Sequence, residues 1–347
     1  MTNFKGVKEG IVPLDPLTIF LGSNNAAKST ILEAIFLGAN PFRPTPYYIL
    51  GLSREYPSTA IETILFLHKT LDYQGFAFLL RDYTANSANI RFILDKPVSD
   101  RNSISIDLIK KNNEIYFTSN IENLNANTTR FGDLKLQVFG VAYLDSFSYV
   151  GHEKRPFIGD ALLINSKLVQ AGYEYLRREW AKIVNSRISR KIAREVSKLS
   201  PEQYIDFTME PIIGGQLDIN AYLEDGRRIR LGDLGEGIQS YILTRLLYEI
   251  TQPKILLWDD MESHLNPKML ITLASWFKEL IQAGTQVIIS THSLELAEVI
   301  GGVNEEDTKI SLNTLKDAKL EVKRLSLDEL RSLKESGVDA RTAGALL

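Results

Sequence analysis

Apolar and polar positions along the chain follow two periods, and the switches between them mark the elements. Residues 11–21, IVPLDPLTIFL, close on an apolar run that reads as a buried strand entering Gly22. After Lys28, the apolar Ile31, Leu32, Ile35 and Phe36 recur at helical spacing, which predicts a strand–loop–helix unit. The turn-rich PFRPTPYY, with three prolines, separates this unit from a helix over TAIETILFLHKTL. GFAFLLRDY, NIRFILDK, SISIDLIKK and EIYFTS then alternate between turn residues, as a run of antiparallel strands does. LQVFGVAYLD, residues 136–145, reads as one more apolar strand.

The second half turns helical over residues 160–200. There Trp180, Val184, Ile188 and Ile192 are spaced by four and Leu199 continues one apolar stripe. Residues 204–231 read as a strand pair around the turn EDGR. GIQSYILTRLLYEI, residues 237–250, is an amphipathic helix with Ile238, Ile242, Leu246 and Ile250 on one side. KILLWDD and TQVIISTHS are buried strands. Between them lies a helix over residues 267–284, opened by proline and closed by glycine. The tail holds two strand-like pieces and a helix whose Ser326 and Glu329 form a capping box. Strands alternating with helices at both ends of the chain predict an α/β fold with a mostly parallel sheet.

Composition narrows the class. The chain has 347 residues, 44% of them apolar and 24% charged, as in an ordinary globular protein. The net charge of −3 excludes a general polycation, so any nucleic-acid contact must come from a local patch. With no cysteine, disulfides and Cys-ligated zinc are excluded, which suits a reducing, cytoplasmic setting. The first ten residues have no apolar core and no run reaches 18 apolar residues, so neither a signal peptide nor a membrane span is expected.

Four segments carry candidate chemistry. GSNNAAKST, residues 22–30, is the phosphate-loop pattern G-x-x-x-x-G-K-[ST] with Ala27 at the second glycine. Backbone N–H groups at a helix start would cradle a triphosphate. Lys28 would bring a point charge to it, and Ser29 a hydroxyl for Mg²⁺. Ala27 keeps its N–H; should it need a positive φ, the methyl costs roughly 1 kcal/mol. ILLWDDMESHLNP delivers Asp259 and Asp260 to a strand end, where one acid holds a metal-bound water and the other polarises an attacking water. A strand that ends in solvent-facing acids has the same pattern. VIISTHS ends at Thr291 and His292, at the strand ends where ligands sit in such sheets; a cap before the next helix reads the same way. LGDLGEGIQS sets Gly235 and Gly237 before a long helix, another anion-binding terminus or simply a turn.

The order and spacing of these segments resemble the ATP-binding-cassette ATPases of the SMC and RecF type, and in particular the stand-alone AAA-type ATPases related to the OLD family. GSNNAAKSTILEAI is similar to their GxNNAGKSTxLEA loop, LLWDDMESHLNP to their hhhDEPExxLHP segment, LGEGIQ to their signature loop and ISTHS to their switch histidine. The resemblance spans nearly the whole chain, loosely over residues 41–135. It implies a P-loop NTPase head with a mostly parallel core sheet, an antiparallel β subdomain and a helical lobe. The implied division is 1–150 (phosphate loop and antiparallel strands), 151–235 (helical insertion), 236–301 (acidic strand and switch histidine) and 302–347 (final strands and helix).

By the same resemblance, Gly22, Asn24, Asn25, Ala26, Ala27, Lys28, Ser29 and Thr30 would hold ATP, and Ser29 and Asp259 its Mg²⁺. Lys28, Asp260 and His292 would act on the γ-phosphate and the attacking water. Gly235, Gly237 and Gln239 would come from a second copy, so that ATP closes a homodimer and hydrolysis opens it. Departures from the pattern predict retained binding and slow hydrolysis. Ala27 replaces glycine, Asp260 is one methylene shorter than the usual glutamate, and Gly235 stands where many relatives carry serine. Displacing a base by about 1 Å costs on the order of 10²-fold in rate. Gln137 is a candidate for the relatives' glutamine loop and equally a core strand residue.

What the nucleotide drives is less legible. Arg187, Lys191, Arg194 and Lys198 line one helix face in a segment, 177–198, with eight basic residues against two acidic. Such a stripe suits DNA phosphates, or is a solvated face. The 55 residues after His292 are too few for the metal nuclease domain that larger relatives carry there. Three roles remain. One is a dimerising ATPase switch acting with DNA or a nuclease or other protein partner. The second is a nucleotide-binding regulatory module with little turnover in a toxin or defence pair. The third, a transporter ATPase subunit, ranks last, since only Phe4 stands before the loop to stack on adenine.

Overall fold

A computed structural model describes residues 1–49, 56–68, 75–98, 101–112, 114–123, 128–137, 158–211, 215, 217–262, 267–339 and 341. The chain opens with β1 (Thr2–Phe4), β2 (Val7–Gly10) and β3 (Leu17–Leu21), followed by α1 (Lys28–Gly38) and α2 (Ala60–His68). Four long strands come next: β4 (Ser87–Val98), β5 (Arg101–Lys111), β6 (Glu114–Asn123) and β7 (Thr128–Gln137). After β8 (Ala161–Ile164) come four short helices, α3 (Ser166–Ala171), α4 (Tyr173–Arg178), α5 (Trp180–Asn185) and α6 (Ile188–Ser197). A separate sheet holds β9 (Tyr204–Pro211), β10 (Leu217–Leu223) and β11 (Arg228–Arg230). The remainder is α7 (Glu236–Thr251), β12 (Ile255–Trp258), α8 (Pro267–Gln282), β13 (Gln286–Thr291), α9 (Leu294–Val303), β14 (Thr308–Lys316), β15 (Lys319–Leu325) and α10 (Leu327–Glu335).

Twelve of the described strands form one sheet in the order β7-β6-β5-β4-β1-β2-β15-β14-β3-β13-β12-β8. Its core is parallel: β14, β3, β13, β12 and β8 each pair in parallel with the next. All five residues of β3 are buried, as are all four of β8 and of β12. These continuous apolar runs mark strands covered on both faces. Burying each large aliphatic side chain contributes roughly 1.5–3 kcal/mol, so the strand that feeds residue 22 is anchored on both sides. β4 to β7 extend the sheet as an antiparallel meander, with β4, β5 and β6 on the segments whose alternation predicts strands and β7 mostly on a segment not read as one. Among the described residues no helix is long and apolar enough to cross a membrane.

Several sequence expectations need correction. GFAFLLRDY does not form a strand: Ala77–Leu79 and Arg81–Tyr83 are tight 3-10 turns, and Asp82 and Tyr83 have φ of 53° and 60°. Its apolar residues, Phe76 to Leu80, are all buried, so the segment plugs the core and pairs only through a bridge from Leu80 to Phe4. Residues 138–145 of the expected strand lie outside the described residues.

The region 160–200 is not helical throughout. Ala161–Ile164 is a strand, because a short apolar run reads alike in either state and here it completes the core beside β12. The apolar stripe is also interrupted. Arg187 adopts the left-handed region (φ 56°), which ends one helical course and starts another, and it leaves Val184 49% exposed. Residues 204–231 hold three strands rather than a pair. The helix α7 is not amphipathic: Tyr241 to Tyr248 are all buried, because α3, α4, α5 and α6 enclose it. The capping box at Ser326 and Glu329 is present.

Candidate functional site

The loop between β3 and α1 turns at the end of the parallel core. Gly22 packs so closely on β14 that a Cβ there would stand 2.7 Å from the Asn313 carbonyl oxygen. Ser23, Asn24 and Asn25 are exposed, while Ala26 is buried beneath them. Asn25 and Ala27 have φ of 64° and 61°, both left-handed. Ala27 therefore occupies the conformation that suits glycine, at roughly 1–2 kcal/mol for an L-residue. It starts α1 without a side-chain cap, which leaves the first-turn N–H groups, Ser29 and Thr30 among them, at an anion-binding terminus.

Lys28 is folded inward. Its Nζ donates to the carbonyls of Gly22 at 2.9 Å and Ser23 at 3.0 Å, and lies 3.2 and 3.1 Å from Nδ1 and Nε2 of His292. Burial lowers the pKa of this amine, and the charges of Glu262, Asp259 and Asp260 oppose that shift. One residue on, Ser29 Oγ donates to Asp259 Oδ1 at 3.0 Å. Lys28, Ser29, Asp259 and His292 thus converge from three adjacent strands, β3, β12 and β13, at their C-terminal ends.

Asp259 also accepts from Ser290 Oγ at 2.6 Å. The same Ser290 hydroxyl accepts the Asp260 N–H at 2.9 Å, and the Ser290 carbonyl accepts the Met261 N–H at 3.1 Å. One buried serine on β13 therefore fixes the turn after β12, where Asp260 sits exposed in the left-handed region (φ 55°). Burial raises the Asp259 carboxyl above its ordinary value, and the bonds from Ser290 and Ser29 counteract this. Two hard oxygen donors, the Ser29 hydroxyl and the Asp259 carboxylate, stand together beside the loop, a donor set that fits Mg²⁺. No group of three or more His, Cys, Asp or Glu side chains suited to a metal occurs among the described residues, so a metal here would draw on phosphate and water oxygens as well.

Sequence reasoning missed two residues here. Ser290 lies inside the quoted strand ISTHS, but a strand serine gives no signal of its own. Glu262, three residues after Asp259, accepts the His292 N–H with Oε1, while its buried Oε2 has no partner among the described residues.

Other expected residues lie around this centre. Gly235 starts α7 in extended geometry (φ −61°, ψ 142°), exposed and facing open space. Gly237 sits in the first turn. Gln239 folds back, donating to the Leu234 carbonyl at 2.6 Å. Glu236, Gln239 and Ser240 share a groove with Asn165, Ser166 and Gln170 beside Asp259 and Asp260 of the same chain. Gln137 ends β7, the far edge of the sheet, eight strands from β3, so it does not join the site. Besides Gln239, the amides that line the groove are Asn165 and Gln170. Sequence reading passed over them because it took 160–200 as helix.

The basic stripe does not lie on a single helix, since Arg187 precedes α6 in the left-handed region. Arg187, Arg190, Lys191, Arg194 and Lys198 nevertheless ring one surface cavity of about 460 Å³ with Glu195. Arg190 pairs with Asp206 at 3.0 Å and Lys191 with Glu249 at 2.8 Å. Arg187, Arg194 and Lys198 have no ion pair among the described residues.

Residues 199–298 match the family described as AAA domain, putative AbiEii toxin, Type IV TA system. Among curated proteins none matches the chain in sequence. By structure, the chain is similar to the SMC head domain from Thermotoga maritima, at 15% identity and a TM-score of 0.43, over 94% of this chain and 97% of that one. It is also similar to the Smc head domain with an extended coiled coil, bound to the C-terminal domain of ScpA, derived from Pyrococcus furiosus. There the identity is 12% and the TM-score 0.48, over 96% of this chain and 97% of that one.

Proposed function

We propose that the chain is a Mg²⁺-dependent ATPase head that closes on a second copy when ATP binds and reopens on slow hydrolysis. The observation that carries this reading is the convergence of Lys28, Ser29, Asp259 and His292 at one end of the parallel core. The loop from Gly22 to Thr30 and the start of α1 would hold the phosphates; Ser29 and Asp259 would hold Mg²⁺. Bound there, the ion would neutralise phosphate charge. Asp260 is the candidate to orient the attacking water, and His292, already against Lys28, to meet the γ-phosphate. Gly235, Gly237 and Gln239 stand at an exposed helix start, which suits a surface offered to a second copy. The four-part division of the chain made from sequence and a cytoplasmic setting belong to the same reading.

The partner that fits best is DNA, at the cavity ringed by Arg187, Lys191, Arg194 and Lys198, where Arg187, Arg194 and Lys198 have no ion pair among the described residues and suit backbone phosphates. A nuclease or other protein partner fits the same switch. A second reading is favoured by the strained Ala27 and the short Asp260: a nucleotide-binding module with little turnover, in a toxin or defence pair of the kind named by the matched family.

The deciding experiment is phosphate release from Mg²⁺-ATP with and without duplex DNA, beside size-exclusion chromatography in the same nucleotide. An ATP-dependent dimer with DNA-stimulated turnover supports the switch. A dimer without turnover supports the module. Neither dimer nor turnover sinks both.

A further inference from the structure

We propose that Arg341 is a positioning residue for the nucleotide site, holding the His292 peptide from its carbonyl side while Glu262 holds it from its amide side. The inference rests on reading His292 as the residue that meets the γ-phosphate. His292 lies between the last residue of β13 and Ser293, the N-cap of α9. Its peptide groups therefore fall outside both the sheet ladder and the helix, and buried peptide groups need partners. Side chains supply them. Glu262 accepts the His292 N–H, and Arg341 Nη1 donates to the His292 carbonyl at 3.0 Å.

The guanidinium is itself held. Asp339 Oδ1 accepts from Arg341 Nε at 2.9 Å and Asp339 Oδ2 from Nη2 at 2.6 Å. The Arg341 N–H also donates to Asp339 Oδ1 at 2.9 Å. This fork points the remaining nitrogen in one direction.

The segment returns to the site by a fixed route. Gly337 (φ 73°) turns the chain after α10, and the Val338 N–H closes on the Leu333 carbonyl at 3.0 Å. α10 packs on α9, and Lys334 pairs with Glu298 across them at 2.7 Å. Arg341, Glu262, His292, Ser293 and Leu294 then line one open cavity. Because the imidazole rests against Lys28 Nζ, the tilt of the His292 peptide sets where the ring stands over the phosphate loop.

The test uses the full chain carrying Arg341→Ala, Arg341→Lys or Asp339→Asn. Three quantities are read: amide exchange over residues 286–296, affinity for a fluorescent ATP analogue, and kcat and KM for Mg²⁺-ATP. Loss of a charge-assisted bond predicts about tenfold faster exchange at residues 292–294 in Arg341→Ala. It also predicts about tenfold lower kcat, with KM within about twofold. Arg341→Lys should recover part of both. Exchange at residues 292–294 equal to the unsubstituted protein in Arg341→Ala overturns the proposal, whatever the turnover. An analogue that does not bind the unsubstituted protein sinks the ATP reading instead, and the exchange result still decides the clamp. Should Arg341→Ala not fold, the other two variants decide: faster exchange supports the proposal and unchanged exchange in both overturns it.

Discussion

Ser290 Oγ donates to Asp259 Oδ1 at 2.6 Å while accepting the Asp260 N–H at 2.9 Å, so a single hydroxyl sets both acids of the site. Ser290→Ala removes one of the two hydroxyls that donate to Asp259 among the described residues, and with it the acceptor of the Asp260 N–H. A loss of about 1–3 kcal/mol is expected in urea unfolding, with a larger proportional loss of Mg²⁺-ATP turnover than of nucleotide affinity. Unchanged stability would mean that the turn is held by other contacts.

Ala27 sits at φ 61°, so glycine there should relax the loop. Ala27→Gly is expected to stabilise the protein by up to about 1 kcal/mol and to tighten nucleotide binding. Thermal unfolding with and without Mg²⁺-ATP measures both. A destabilised variant would show that the methyl's packing outweighs its strain.

Burial raises the Asp259 carboxyl above its ordinary value of 3.8. Folding therefore favours the protonated form. The resulting cost is absent well below that value, grows as pH climbs through the raised native value, and is full at neutral pH. Asp259→Asn should remove it, raising nucleotide-free stability at pH 7 by about 1 kcal/mol while abolishing Mg²⁺-dependent turnover. Equal stability of the two proteins at pH 7 would count against a buried charge at this position.

Glu33, on α1 behind the loop, is desolvated, yet Lys5 and His68 together hold its carboxyl below the ordinary 4.5. Its stabilising share is full above 4.5 and is lost as pH falls through the lowered native value. Lys5→Met leaves a buried carboxylate with one partner fewer, at a cost of about 3 kcal/mol. Unfolding measured from pH 7 down to pH 3 should show the gap between variant and parent narrowing at the acid end. A gap that stays constant would exclude the ion pair as its source.

Arg194 has no ion pair among the described residues, and it faces the basic cavity. If duplex DNA docks there, Arg194→Ala should reduce the salt slope of log affinity by about 1 and weaken binding alike for all sequences. Fluorescence anisotropy across a salt series reads both. An unchanged slope would move the DNA surface elsewhere.

Local pattern carried the strand–loop–helix unit, because β3 and α1 are set by their own apolar runs. It carried the placement of Lys28 and Ser29 at the start of α1, and of Asp259 and His292 just past β12 and β13, for the same reason: sequence can delimit those elements. It failed where a residue's role depends on a neighbour far along the chain. ALLI at 161–164 is a strand only because β12 lies beside it. Phe76 to Leu80 form a plug only because the core has room for them. Ser290, Glu262 and Arg341 act through hydrogen bonds to residues far along the chain, 31, 30 and 49 positions away for Asp259 and the two His292 contacts, which no periodicity records.

The strand that delivers the phosphate loop is flanked by β13 and β14, whose residues pair Leu17 with Val287 and with Thr308. During synthesis Lys28 leaves the ribosome early, but both strands that anchor β3 are made nearly the whole chain later. At about 5–20 residues per second that delay is on the order of 15–60 s. Throughout that interval β3 lacks both strands it pairs with in the folded chain. Assembly of the site is thus a late, chain-spanning event, and chaperone dependence should track the arrival of residues 286–316 rather than of the loop itself.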